Sequence, residues 1–169
     1  MPLSFPHRLD ADVRSSLAGH LGRRPAILAW APTADGHVVG LAGRLMVGDA
    51  AGWHSYPWHE IDSGRWDEAS GTLGWDDGAG DRHEVVLEGR SGFTDLFNER
   101  ITASVIASRR VDLGKGRHLT LALRRSLEPG EDTTLWRVTP SAGVDLASPD
   151  IQDRLEVELA AARADFGFD

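Results

Sequence analysis

No cysteine occurs in the 169 residues, so the chain can hold no disulfide, no thiolate-bound metal and no thiol nucleophile. Lysine is nearly missing too. Lys115 stands alone against 17 arginines, an imbalance that reads as the codon usage of a high-GC genome, not as a function for arginine. No apolar run approaches the ~18–20 residues that a membrane span requires, and the opening residues carry no secretory-signal pattern; the expected compartment is the cytoplasm. Positive charge is in deficit overall. The formal net charge is −8, so phosphate-rich partners meet a field of their own sign, and neither nucleic acid nor an anionic membrane is an expected partner.

Signatures of chemistry are missing in the same way. His54 and His59 are five residues apart, which puts them on opposite faces of a strand, and the HExxH spacing is absent. No metal site is expected. The acidic, glycine-rich run Asp76-Asp77-Gly78-Ala79-Gly80-Asp81 lacks the ligand spacing and closing glutamate of a calcium loop, so it reads as a hairpin turn. Gly114-Lys115-Gly116 lacks the phosphate-loop pattern and also reads as a turn. Ser91-Gly92 precedes a helix without the G-x-S-x-G context of a nucleophile. The pattern therefore names no catalytic residue and no cofactor.

What is present is ordinary globular material. Apolar residues make up 41% and charged residues 26%, enough apolar side chains for one packed core and too few charges for wholesale disorder. Leu9, Val13, Leu17 and Leu21 repeat every fourth residue, the stripe of an amphipathic helix. Short apolar runs cut by turns follow: Pro25 to Ala31, Val38 to Val47, Trp53 to Ile61, Asp62 to Glu68, Thr72 to Asp76 and Arg82 to Glu88. Gly40 and Gly43 predict a bulge or bend in the second run, and Pro57 predicts an edge or bulge in the third. At Gly92 the period changes. Phe93, Phe97, Ile101 and Val105 predict a helix over about Thr94 to Val105. Val105 to Leu113 and Leu119 to Leu123 alternate around the glycine pair as a hairpin, and Leu135 to Thr139 adds a strand. Ser148-Pro149-Asp150 opens a last helix, with a capping serine and a proline in the first turn; Ile151, Leu155, Leu159 and Ala162 are its buried stripe, and Phe166 and Phe168 fold back onto the core.

Charge and aromatics supply the candidate sites. Residues 99–125 hold seven basic against two acidic side chains, and residues 126–169 three against ten. Arg110 and Arg124 fall on the polar face of the hairpin and are the candidate basic patch for an acidic or phosphorylated partner; the competing reading is that acidic groups of the same chain neutralise them. Trp30, Trp53 and Trp136 are expected in the core. Trp58, Trp66 and Trp75 are the candidates for an aromatic surface across neighbouring strands.

A first strand, then VVGLAGRLMV with its polar break at Ala42-Gly43-Arg44-Leu45, then SYPWHEIDSGRW with Trp58-His59-Glu60-Ile61, then TLGW, resembles the bacterial pleckstrin-homology-like (PH-like) and GRAM-type domains. The resemblance covers about residues 24–106. It implies a small, bent, seven-stranded antiparallel barrel plugged by the helix that starts near Phe93. It also implies a binding or scaffolding role without catalytic residues, and it assigns no ligand contact. The expectation is an α+β protein: an N-terminal arm and helix (1–23), a PH-like barrel with plugging helix (24–106), and additional antiparallel strands with a C-terminal helix packed on the same core (107–169). The expected function is a non-catalytic binding or scaffold protein of the bacterial cytoplasm with a protein partner. The alternative is a small-ligand-binding protein or enzyme with a pocket lined by tryptophan and histidine.

Overall fold

The computed structural model of the chain describes residues 8–89 and 92–167. The expectations placed on the first seven residues, on Ser91 and on Phe168 lie outside the described residues. Among the described residues the order of elements is helix, seven strands, helix, three strands, helix, a mixed α+β protein with three antiparallel sheets.

The first helix, α1 (Ala11–Leu21), ends on Gly22 at φ 65°, the left-handed position that glycine occupies without a Cβ penalty. Its Leu17, with Val13 and Leu21, packs on the outer face of the first sheet, against Val39, Leu41 and Met46. That sheet is β1 (Ala29–Thr33), β2 (Gly36–Gly40), β3 (Arg44–Asp49) and β4 (Gly52–Pro57), paired in sequence order. Val38 to Val47 is broken at the expected place: the chain turns between Gly40 and Arg44, and the Leu41 N–H donates to the Arg44 carbonyl at 2.9 Å. Glycine is required in that turn, because a Cβ on Gly43 would stand 2.7 Å from the Cα of Glu128.

Trp53 to Ile61 is not one strand. β4 stops at Pro57, and a short 3-10 turn, Trp58–Glu60, leads into β5 (Ile61–Asp67). Proline offers no N–H to continue a ladder, and β4 is an edge of its sheet. The turn drives Trp58 inward. Its indole N–H donates to the Leu41 carbonyl at 2.9 Å, which ties this corner to the β2–β3 turn.

The second sheet is β5, β6 (Thr72–Asp77) and β7 (Arg82–Val86), with a bulge at Asp62. Its inner face meets that of the first sheet over Leu45, Val47, Ile61, Leu73 and Trp75. The next helix, α2 (Phe93–Ser104), closes one end of this space with Phe93 and Phe97. Phe97 seats on Gly64, where a Cβ would lie 2.4 Å from its ring. The isolated bridge Thr33↔Leu87 joins the end of β1 to the chain beyond β7, and among the described residues no sheet closes into a barrel. The physical reasons are local: Pro57 ends the β4 ladder, and the bulge at Asp62 displaces β5.

The third sheet, in spatial order β10 (Thr134–Pro140), β9 (Arg117–Arg125), β8 (Val105–Gly114), turns between β8 and β9 on Lys115 and Gly116 at φ 55° and 76°. Positive φ at both central residues is the turn whose twist matches an antiparallel hairpin. Val105, which fits both the helical spacing and the strand alternation, is the first residue of β8. The last helix, α3 (Pro149–Phe166), lays Ile151, Leu155, Leu159 and Ala162 on Val111, Leu119 and Leu121. Among the described residues no helix is long and apolar enough to cross a membrane.

Candidate functional site

The interior between the first two sheets is filled at the α2 end and open at the other. Tyr56 projects there from the edge strand β4, and Trp75 and His83 stand opposite each other on β6 and β7. The hairpin places this pair: with its turn over residues 78–81, Trp75 and His83 are cross-strand partners and share a face. The His83 ring lies on the Trp75 indole with centroids 5.4 Å apart and planes at 22°. Tyr56 meets both rings, Trp75 edge-on at 5.2 Å and His83 at 4.8 Å.

Asp77 orients this group. One carboxylate oxygen accepts from the Ala79 and Asp81 amides at 2.9 and 3.0 Å, so the glycine-rich loop is a turn built on that side chain. The other accepts from His83 Nε2 at 2.7 Å. With the proton on Nε2, Nδ1 is the acceptor facing the Tyr56 hydroxyl at 3.4 Å. Burial works to raise the Asp77 pKa, but the hydrogen bonds from His83 and the two amides outweigh it and hold the carboxyl low. Burial, reinforced by Asp77 and Asp49, pushes the Tyr56 hydroxyl up. Tyr56 therefore stays protonated, a hydrogen-bond donor and not an activated base.

Two clefts flank Tyr56. One, of about 470 Å³, opens towards the β1–β2 and β3–β4 turns and is lined by Asp35, Asp49, His54, His83 and Glu84. The other, of about 400 Å³, runs past Pro57 to the third sheet and is lined by Ser55, Glu60, Asp77, Leu135 and Arg137. Both include Tyr56. Carboxylates outnumber cations on these walls, and the arginines are already engaged: Arg82 donates to Asp76 at 3.1 Å, and Arg137 grips Asp62 through two hydrogen bonds at 2.6 and 2.5 Å. Among the described residues no three His, Asp or Glu side chains converge as metal ligands.

The residues singled out from sequence are not brought together. Arg124 does lie on the polar face of the hairpin, but its end of that face is covered. The residue is 6% exposed, and its guanidinium donates to the Ile61 carbonyl and, at 3.3 Å, to the Asp62 carbonyl, the backbone groups next to the β5 bulge. Burial lowers its pKa, opposed by Asp62. Arg110 is on the exposed side of β8, with its guanidinium 3.1 Å from His118 Nδ1. Acidic groups of the same chain meet other arginines of this region: Arg109 donates to Asp165 of α3 at 2.6 Å. Arg110 and Arg124 do not form one exposed patch. Nor do the three tryptophans form one surface. Trp58 and Trp75 are 0% and 1% exposed, and Trp66 is 43% exposed. Trp30, Trp53 and Trp136, expected in the core, are only partly buried at its margins. Of the residues that build the open end, Asp77 is read from sequence only as part of a hairpin turn, and Tyr56 and His83 are not among the candidate site residues; the signal for them is the hairpin register that sets His83 across from Trp75.

Fold and site together define an α+β protein with three antiparallel sheets and an open, acidic-walled trough beside an edge strand. Compared with known proteins, the chain matches no family model, no curated protein and no solved structure.

Proposed function

We propose that this is a non-catalytic binding protein of the bacterial cytoplasm, on a PH-like framework, with its ligand seat in the trough on either side of Tyr56. The succession of four strands, three strands and a helix that closes one end of the space between the two sheets supports the framework. One observation carries the seat: at the end left open by α2, a protonated Tyr56 and an Asp77-held His83 stand on buried Trp75 between two clefts. Polar groups held in place beside apolar surface are the usual makings of a binding site. The raised Tyr56 pKa favours donation to a ligand over proton abstraction. The expected bearer of the ligand is a protein partner.

The test is spectroscopic. Candidate ligands are titrated while the His83 ring and Trp75 indole resonances are followed by NMR, in the wild-type protein and in His83→Ala. A ligand of the trough moves both signals in the wild type and binds the variant more weakly. Ligands that bind with both signals unmoved, or with unchanged affinity for His83→Ala, place the seat elsewhere. Turnover of a bound ligand would overturn the non-catalytic reading.

A further inference from the structure

The sheet edges of the first seven strands are treated unequally. The β1 edge is covered where the chain beyond β7 crosses it: Glu88 N–H donates to the Pro32 carbonyl at 2.8 Å, Ala34 N–H to the Val86 carbonyl at 3.3 Å, and Thr33 bridges Leu87. The start of β5 is met from the third sheet by Arg124, on the Ile61 and Asp62 carbonyls, and by Arg137, on the Asp62 carboxylate. β4 is the other outer strand of the first sheet. Among the described residues its only strand partner is β3, and no backbone hydrogen bond joins Gly52–Pro57 to any other element. An edge of this kind is a template for another strand, and proteins normally cover or charge it. Here space lies beside it instead. The two clefts, of about 470 and 400 Å³, both draw lining residues from β4 and meet at Tyr56.

We infer that the β4 edge is the seat of an extended, cationic segment of a partner protein, added as a fifth strand to the first sheet; this rests on the trough being the binding seat. Strand addition takes its affinity from main-chain hydrogen bonds and its selectivity from pockets for alternate side chains. The open edge answers the first requirement and the clefts on either side of Tyr56 the second. The charge follows from the walls. Asp35 and Glu84 line one cleft and Glu60 the other, all exposed and with no arginine hydrogen-bonded to them among the described residues. The cations nearby, Arg82 and Arg137, are held by Asp76 and Asp62. A basic segment therefore finds carboxylates along its path, within a chain of net charge −8 that draws cationic partners in from solution.

The experiment uses the full chain and three fluorescein-labelled synthetic peptides of equal length, followed by fluorescence anisotropy at low salt. One alternates lysine and valine, one alternates glutamate and valine, and one is the lysine peptide with N-methyl groups on alternate amides. The lysine peptide is expected to bind, and to bind less tightly as salt is raised. The glutamate and N-methylated peptides are each expected to bind at least about tenfold more weakly, the first through repulsion and the second through lost main-chain donors. Glu60→Lys combined with Glu84→Lys, two exposed positions, is expected to weaken the lysine peptide by about tenfold, with thermal unfolding as the check that the fold is unchanged. Equal binding of the N-methylated peptide overturns strand addition, and equal binding of the glutamate peptide overturns the cationic partner. If no peptide binds while another ligand still moves the His83 resonance, this inference fails and the trough remains a binding seat; if nothing moves that resonance, both fail.

Discussion

The first seven strands and the last three bury their apolar residues by different means. The two sheets of the first region enclose Trp58, Trp75, Phe93 and Phe97, four large aromatic side chains that are all 1% exposed or less, and two sheets and a helix contribute to that interior. The third sheet has one helix to cover its face. Of the residues in α3, only Ala162 is fully buried, and Ile151, Leu155 and Leu159 remain partly open. Between the regions the joint is polar: Arg124 on the Ile61 carbonyl, Arg137 on Asp62, and Glu128 receiving both Arg23 at 2.5 Å and Arg44 at 3.1 Å. A buried polar joint adds little net stability when intact but is costly to break on one side, because the partner left behind stays desolvated. The first region is thus held by its interior. The second is held to it by directional contacts that a single substitution can remove.

The sharpest way to break this comparison is Trp58→Ala. The substitution empties one of the two largest fully buried side chains and leaves the Leu41 carbonyl without the Trp58 donor. The expected loss is about 3–5 kcal/mol, read as a shift in the urea midpoint and seen by probes in both regions. Unfolding of the third sheet alone would show that the first interior does not carry the whole molecule.

Next comes the joint itself. Arg124→Met keeps much of the apolar stem but removes the donor to Ile61 and Asp62. The expected cost is about 1–3 kcal/mol for the buried carbonyl left unpaired. Hydrogen exchange should accelerate in α3 and β8 to β10 more than in β6 or α2, since cooperative units with fewer buried contacts open first. Uniform acceleration would mean that the two regions open as one.

Sequence reading and structure part company at this joint. Periodicity placed the three helices and the run of strands in order but missed the 3-10 turn at Trp58–Glu60, because apolar spacing records only which face a strand or helix buries. The α1 stripe of Leu17, Val13 and Leu21 lies on the first sheet as that spacing requires. Periodicity carries no information on which polar face meets another. Arg110 and Arg124 look equivalent on the hairpin, yet one faces solvent and the other enters the β5 bulge. Trp58 departs from expectation for a related reason. Strand alternation carried through Pro57 turns its side chain outward, whereas the 3-10 turn there resets the phase and points the indole inward. The trough was legible only through the β6–β7 register, and its openness depends on where α2 stops filling the space, which no local pattern encodes.

A third test titrates His59, beside the joint. The residue is 5% exposed, and burial lowers its pKa below the ordinary 6.5, opposed by Glu60 and Glu131 and assisted by Arg124 and Arg44. The unfolded chain takes up this proton at a higher pH than the folded one. His59 therefore contributes stability that is present above about pH 6.5 and is lost as pH falls through and below that value. Urea midpoints measured from pH 7.5 down to 5 should decline, and His59→Gln should flatten the decline. An unchanged slope in the variant would assign the effect to another group.

The smallest expected effect belongs to the outer face of the second sheet, away from interior and joint. Asp76 accepts from Arg65 at 2.7 Å, Ser63 at 2.8 Å and Arg82 at 3.1 Å. The Arg65 hydrogen bond leads in depressing its pKa, from 3.8 to about 2, with Ser63 and Arg82 adding to it against the opposing pull of burial. A depressed carboxyl contributes stability above its unfolded pKa and loses it as pH falls towards the folded one, here between 3.8 and about 2. Because Arg65 and Arg82 reach it through solvent, screening reduces the contribution to about 1 kcal/mol at neutral pH. Asp76→Asn should therefore lower the urea midpoint slightly at pH 7 and at low salt, less at high salt, and not at all near pH 2. A loss as large as that of Arg124→Met would mean that this face is held as tightly as the joint, and that the contrast between surface clasp and buried joint is not the one that governs stability.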